Sequence, residues 1–115
     1  GLAFKANTDD VRESPVIPII ESLLAGGANV QAYDPQAIDT ARVIFGDRIM
    51  YTHDSYSALR SADALVIATE WNEFRYVDMR AVRVLLKQPV VVDGRNIYDP
   101  EEMRAAGITY IGVGR

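Results

Sequence analysis

Lys5, Arg12 and Arg95 are the cations whose neighbours give them chemical meaning. Lys5 closes the run Gly1-Leu2-Ala3-Phe4 and opens a polar stretch, Ala6-Asn7-Thr8-Asp9-Asp10-Val11-Arg12-Glu13-Ser14. Arg95 stands in Asp93-Gly94-Arg95-Asn96, directly after Val90-Val91-Val92. A third segment, Ala68-Thr69-Glu70-Trp71-Asn72-Glu73-Phe74, follows the apolar run Ala64-Leu65-Val66-Ile67. In an open parallel sheet, residues just past the strand carboxyl ends line one crevice, and ligands bind there. Lys5 and Arg95 would then share one edge although 90 positions separate them. A lysine point charge beside a planar arginine fork suits a phosphate or diphosphate. Phe4 and Trp71 would offer apolar surface to a base or sugar face.

Each of these residues also has a plainer use. Lys5 and Arg12 can neutralise Asp9, Asp10 and Glu13 in a solvated loop. Arg95 can be a turn residue paired with an acid. Trp71 and Phe74 can close the core, and Glu70 and Glu73 can be surface groups or helix N-terminal charges. His53 sits alone in a polar loop. Asp34 lies where a ribose-binding acid would lie in a dinucleotide unit, but the expected G-x-G-x-x-G is absent. Lys5-Ala6-Asn7-Thr8 takes its place, so Asp34-Pro35 reads as a turn. No carboxylate pair stands out as an acid–base couple, and no spacing suits a metal.

The elements that must position these residues alternate between strand and helix. Ser14-Pro15 offers an N-cap and a first-turn proline, and Ile17, Ile20, Leu23 and Leu24 recur at helical spacing. Gly26-Gly27 ends that helix. Asn29 to Tyr33 is a short strand, Ile38 to Phe45 a helix, and Ile49 to Tyr51 a brief strand. Ser55 to Leu59 makes one or two helical turns. Ala64 to Ala68 and Val90 to Val92 are fully apolar, as strands buried on both faces are. Val77 to Leu86 and Pro100 to Ala106 are helices, and Ile108 to Gly112 is the last strand. Gly1 to Phe4 reads as the end of a central strand that begins earlier, which suggests a piece of a larger protein. The order predicts an α/β, Rossmann-like, doubly wound parallel sheet in three αβα layers, its first strand truncated.

Bulk composition narrows the function. The chain has 115 residues, 49% of them hydrophobic, enough for one domain with a core. Its net charge is −4 and its isoelectric point about 4.9. A negative chain without a basic stripe is a poor partner for nucleic acid. There is no cysteine, hence no disulfide and no thiolate nucleophile. No apolar run approaches the roughly 18 residues of a membrane span. A cytoplasmic protein without membrane or nucleic-acid partners is expected.

The three segments together resemble the C-terminal, UDP-binding domain of the UDP-glucose/GDP-mannose dehydrogenase family. The likeness runs over essentially the whole chain. Gly1-Leu2-Ala3-Phe4-Lys5 with Asn7-Thr8-Asp9-Asp10 and Arg12-Glu13-Ser14 is similar to the loop after that domain's first strand. Thr69-Glu70-Trp71 with Phe74, and Asp93-Gly94-Arg95-Asn96, most resemble the UDP-glucose 6-dehydrogenase branch. The resemblance implies oxidation of UDP-glucose to UDP-glucuronate with two NAD, through a thiohemiacetal on a cysteine. It implies that Phe4, Lys5 and Arg95 contact the UDP-sugar and that Arg12 reaches toward NAD.

The departures from the family are specific. The nucleophilic cysteine, the N-terminal NAD-binding domain and the central dimerisation helix are not in these residues, so the fragment alone is expected to be inactive. Ala6 stands where the family often has proline. The whole enzyme is expected to be a homodimer or larger homo-oligomer. Two alternatives stay open from sequence. One is a dehydrogenase for another nucleotide sugar, UDP-N-acetylmannosamine or GDP-mannose. The other is a non-catalytic nucleotide-binding or interaction module.

Overall fold

The computed structural model describes residues 1–113. Its elements follow the expected alternation. They are α1 (Val16–Ala25), β1 (Gln31–Ala32), α2 (Ile38–Phe45), β2 (Met50–Tyr51), β3 (Leu65–Ile67), α3 (Asn72–Arg75), α4 (Met79–Leu85), β4 (Val90–Asp93), α5 (Pro100–Ala105) and β5 (Thr109–Gly112). Short 3₁₀ turns lie at Gly46–Arg48 and Ser57–Leu59.

Local chemistry sets the boundaries. The Asp78 and Asp99 carboxylates accept the amides of Arg80 and Glu101, capping α4 and α5, and Pro100 fills the first turn of α5. Helices α1 and α5 end alike. After α1, Gly27 sits at φ 88°, its amide bonds Leu24 O, and the Ala28 amide bonds Leu23 O at 2.9 Å. After α5, Gly107 sits at φ 79°, and the Ile108 amide returns to Met103 O at 3.0 Å. Both are Schellman ends, in which glycine supplies the left-handed residue.

All strand pairings are parallel. They form two sheets, β1-β2 and β3-β4-β5. The segment Gly1–Phe4, expected as the end of a central strand, lies between them without joining either ladder. Its buried backbone groups are met by side chains instead: Asp34, after β1, takes the amides of Leu2 and Ala3, and Thr69, after β3, takes the Ala3 carbonyl.

Two apolar cores follow. Val16 and Ile20 of α1, Ala41 and Phe45 of α2, and Leu2, Ala3, Val11, Ile49 and Ala68 form the first. Val82 of α4, Met103 of α5, Ile67, Val91, Tyr98 and Ile108 belong to the second. The expectation of strands buried on both faces needs correction. Leu65, Val91 and Tyr110 are in register and pack toward α4 and α5. The alternate row Val66, Val92 and Ile111 is less covered, with Val66 37% and Ile111 52% exposed. Successive residues point to opposite faces, and α4 and α5 cover only one.

Candidate functional site

The residues just past Ala3, β1, β3 and β4 converge, and two buried aspartates organise them. Asp34 is 2% exposed. Its Oδ1 accepts the amides of Gln36 at 2.9 Å and Ala37 at 2.8 Å, holding the turn into α2. Its Oδ2 accepts Leu2 N at 2.8 Å, Ala3 N at 3.1 Å and the Trp71 indole Nε1 at 3.2 Å. Burial pushes the carboxyl pKa up, but the amides of Leu2, Gln36, Ala3 and Ala37 outweigh it, so it lies below the ordinary 3.8. Asp93, fully buried, is the last residue of β4 and likewise collects donors on both oxygens. It accepts Arg95 N on Oδ1 at 3.0 Å. Its Oδ2 takes the amides of Ile97 and Tyr98 and the Tyr110 hydroxyl, the last at 2.7 Å.

Arg95 ties the convergence together. Its Nε donates to Ala68 O at 3.1 Å and its Nη2 to Phe4 O, while Nη1 lies 3.9 Å from Glu70 Oε1. One guanidinium thus joins the residues that follow Ala3, β3 and β4. The Arg95 side chain is 26% exposed at this edge. Phe4 is half-buried and Lys5 exposed, with Lys5 Nζ 5.4 Å from the Phe4 ring centre, in cation–π range.

The loop that carries Lys5 is closed on itself. Phe4 N donates to Asp10 O at 3.0 Å, and the Thr8 hydroxyl accepts Asp10 N. Asn7 at φ 65° and Glu13 at φ 59° are left-handed, a conformation that asparagine tolerates and glutamate adopts at a cost. Arg12 is 87% exposed and forks onto Asp10, with contacts of 3.0 and 2.8 Å. The Arg12 fork holds the Asp10 carboxyl down to about 2.

The structure therefore brings Phe4, Lys5 and Arg95 to one edge and leaves Arg12 in an ion pair on the loop's outer side. Trp71 is not an apolar platform. It is 6% exposed, with its indole bonded to Asp34. Phe74 is buried against Tyr33, ring centres 6.2 Å apart, and Glu73 accepts the Tyr33 hydroxyl at 3.3 Å. His53 is exposed.

The family model for the UDP binding domain of UDP-glucose/GDP-mannose dehydrogenases matches residues 1–100. The chain belongs to that family. It is 49% identical over 115 residues to the UDP-glucose 6-dehydrogenase TuaD of Bacillus subtilis, covering all of this chain and 25% of that protein. A UDP-glucose dehydrogenase structure from Pyrobaculum islandicum matches 98% of this chain and 24% of its own, at TM-score 0.80 and 40% identity. A UDP-D-ManNAc dehydrogenase structure from Pyrococcus horikoshii matches all of this chain and 24% of its own, at TM-score 0.78 and 33% identity. The chain spans about a quarter of the length of the relatives it matches.

Within this UDP binding domain the described residues build no dinucleotide cradle. The turn after Ala3 is Phe4-Lys5-Ala6-Asn7, with no glycine to let a pyrophosphate approach the backbone. The residues here do not fit NAD as its main binding site. The sequence reads Asp34 as a turn residue and marks no separate role for Asp93. The turn at Asp34 is present, and its second oxygen does more. For Asp93 the available signal is an acid closing the apolar strand Val90-Val91-Val92, because a buried carboxylate must collect donors.

Proposed function

We propose that this chain is the nucleotide-sugar side of an NAD-dependent dehydrogenase that oxidises UDP-glucose to UDP-glucuronate in two NAD-linked steps. The observation that carries the reading is the Arg95 guanidinium. It gathers the Phe4 carbonyl and the Ala68 carbonyl at one edge, where the Arg95 side chain stays 26% exposed and Lys5 lies against the Phe4 ring. In this reading Phe4 flanks the uridine part, and Lys5 and Arg95 face the anionic substrate. Lys5 supplies a mobile point charge and Arg95 a fixed fork. Arg12 reaches toward NAD across the loop's outer side.

NAD, the hydride acceptor, would be held mainly by another part of the complete enzyme, which would also supply the nucleophilic cysteine. The contribution of this chain is binding and orientation. The complete protein is proposed to be a cytoplasmic homodimer or larger homo-oligomer. The UDP-glucose 6-dehydrogenases among its relatives support glucose over N-acetylmannosamine or GDP-mannose as the substrate's sugar part.

The deciding experiment is an assay of the complete enzyme with each nucleotide sugar, following NADH formation, beside calorimetric titration of UDP. UDP-glucose is expected to be the fast substrate. A slow UDP-glucose rate overturns the sugar assignment, and absence of UDP binding overturns the nucleotide site.

A further inference from the structure

The geometry points to Asp34 and Thr69 as a buried clamp that positions the substrate-binding segment. Both are outside the set of residues expected to touch substrate, and both are almost fully buried, Asp34 at 2% and Thr69 at 0% exposed. Between them runs Leu2–Ala3, which leads directly into Phe4 and Lys5.

The clamp grips this segment from two sides. Asp34 Oδ2 accepts both consecutive amides, Leu2 N at 2.8 Å and Ala3 N at 3.1 Å. The Thr69 hydroxyl donates to Ala3 O at 2.7 Å from the opposite side. A Cβ placed on Gly1 would fall 2.3 Å from Thr69 Oγ1, so glycine is what lets the segment lie this close. Trp71 Nε1 on Asp34 Oδ2 ties the same carboxylate to the segment that carries Thr69.

The consequence reaches the ligand through Phe4. Its carbonyl is held by Arg95, and its position is inherited from Ala3. Release of the clamp shifts Phe4, and with it Lys5 and the Arg95 fork. An interaction with the nucleotide end that is equal in substrate and transition state is uniform binding, and the clamp is assigned this kind. Loss of such an interaction raises KM and leaves kcat in place.

This inference rests on the reading that Phe4 and Lys5 contact the nucleotide sugar. The test uses the complete enzyme with three variants, Asp34→Asn, Thr69→Val and Thr69→Ser. Asp34→Asn puts an NH₂ group or a reorganised amide against three donors. It is expected to raise the KM for UDP-glucose by about tenfold or more, with kcat changed less than about threefold and the KM for NAD unmoved. Thr69→Val keeps the shape and removes the hydroxyl, and is expected to raise the same KM by about three- to tenfold. Thr69→Ser restores the hydroxyl and is expected to restore the KM.

A purely structural role moves other readouts. It lowers the amount of folded enzyme without changing KM, or makes serine, which lacks the methyl group, worse than valine. Either pattern overturns the clamp. If Asp34→Asn does not fold, the order of the two Thr69 variants decides alone. A wild type that turns over UDP-glucose while Thr69→Val and Asp34→Asn keep its KM rejects the clamp only. A wild type that neither turns over nor binds UDP rejects the functional reading and the clamp together.

Discussion

Arg95 divides its five N–H donors between structure and ligand, and the division can be measured. Two guanidinium nitrogens are spent on the carbonyls of Ala68 and Phe4. A lysine cannot span both, because its ammonium is a single point on a flexible stem. Arg95→Lys in the complete enzyme is therefore expected to weaken UDP binding about tenfold and lower thermal stability together. A result with binding lost and stability intact would assign all of the fork to the ligand. Lys5 has no hydrogen bond to a carbonyl among the described residues; it is exposed, lies over the Phe4 ring and acts on Asp10 only through its charge. Lys5→Ala is expected to weaken UDP binding by roughly ten- to a hundredfold, with the melting temperature unchanged. Unchanged affinity in calorimetry would remove Lys5 from the site. The meeting of Lys5 and Arg95 at one edge was legible in the sequence because each follows an apolar run. Asp34 was half legible. Its Oδ1 turn is a local matter, but the partners of Oδ2 come from residues 2, 3 and 71, which no local pattern connects.

Elements whose limits are set by local chemistry were read closely, and elements set by tertiary contacts were not. Helix α2 spans Ile38–Phe45 as expected. Helices α1 and α5 end at glycines because Gly27 and Gly107 close Schellman motifs within their own last turns. The short α3 over Asn72–Arg75 carries no helical period and was not anticipated. The apolar runs of β3 and β4 suggested burial on both faces, but apolar composition cannot say how many helices cover a sheet. The Schellman ends give a clean test. No atom lies within 4 Å of a Cβ placed on Gly27, so alanine there meets only the left-handed backbone penalty. Gly27→Ala is expected to destabilise by about 1–2 kcal/mol in denaturant unfolding, with KM for the nucleotide sugar unaltered. A neutral result would show that the turn relaxes to another conformation.

At the scale of the whole molecule, the two sheets are joined through a carboxylate rather than a ladder, and that makes the fold sensitive to acid. Asp34 bonds residues on both sides of the junction, Gln36 and Ala37 after β1, Leu2 and Ala3 between the sheets, and Trp71 after β3. Burial raises its pKa, the four amides lower it more, and the folded value falls below the ordinary 3.8. A group with a depressed folded pKa contributes stability above its unfolded value and loses it as the pH falls through 3.8 toward the folded value. The stability of the complete enzyme is therefore expected to be flat in this respect above about pH 5 and to decline below 3.8. The exposed pairs Arg12–Asp10 and Arg48–Glu21 also titrate at low pH, but salt screens them. High salt removes those pairs, and comparison with Asp34→Asn then isolates the Asp34 carboxylate from the other acids, Asp54 with its Ser57 hydrogen bonds among them. Under those conditions the wild type is expected to lose stability below pH 3.8 and Asp34→Asn, already weaker at neutral pH, to lose less. Parallel profiles for the two proteins would mean that the sheets are held together by their packed apolar residues, Leu2, Ala3 and Ala68, and that the carboxylate only orients what they enclose.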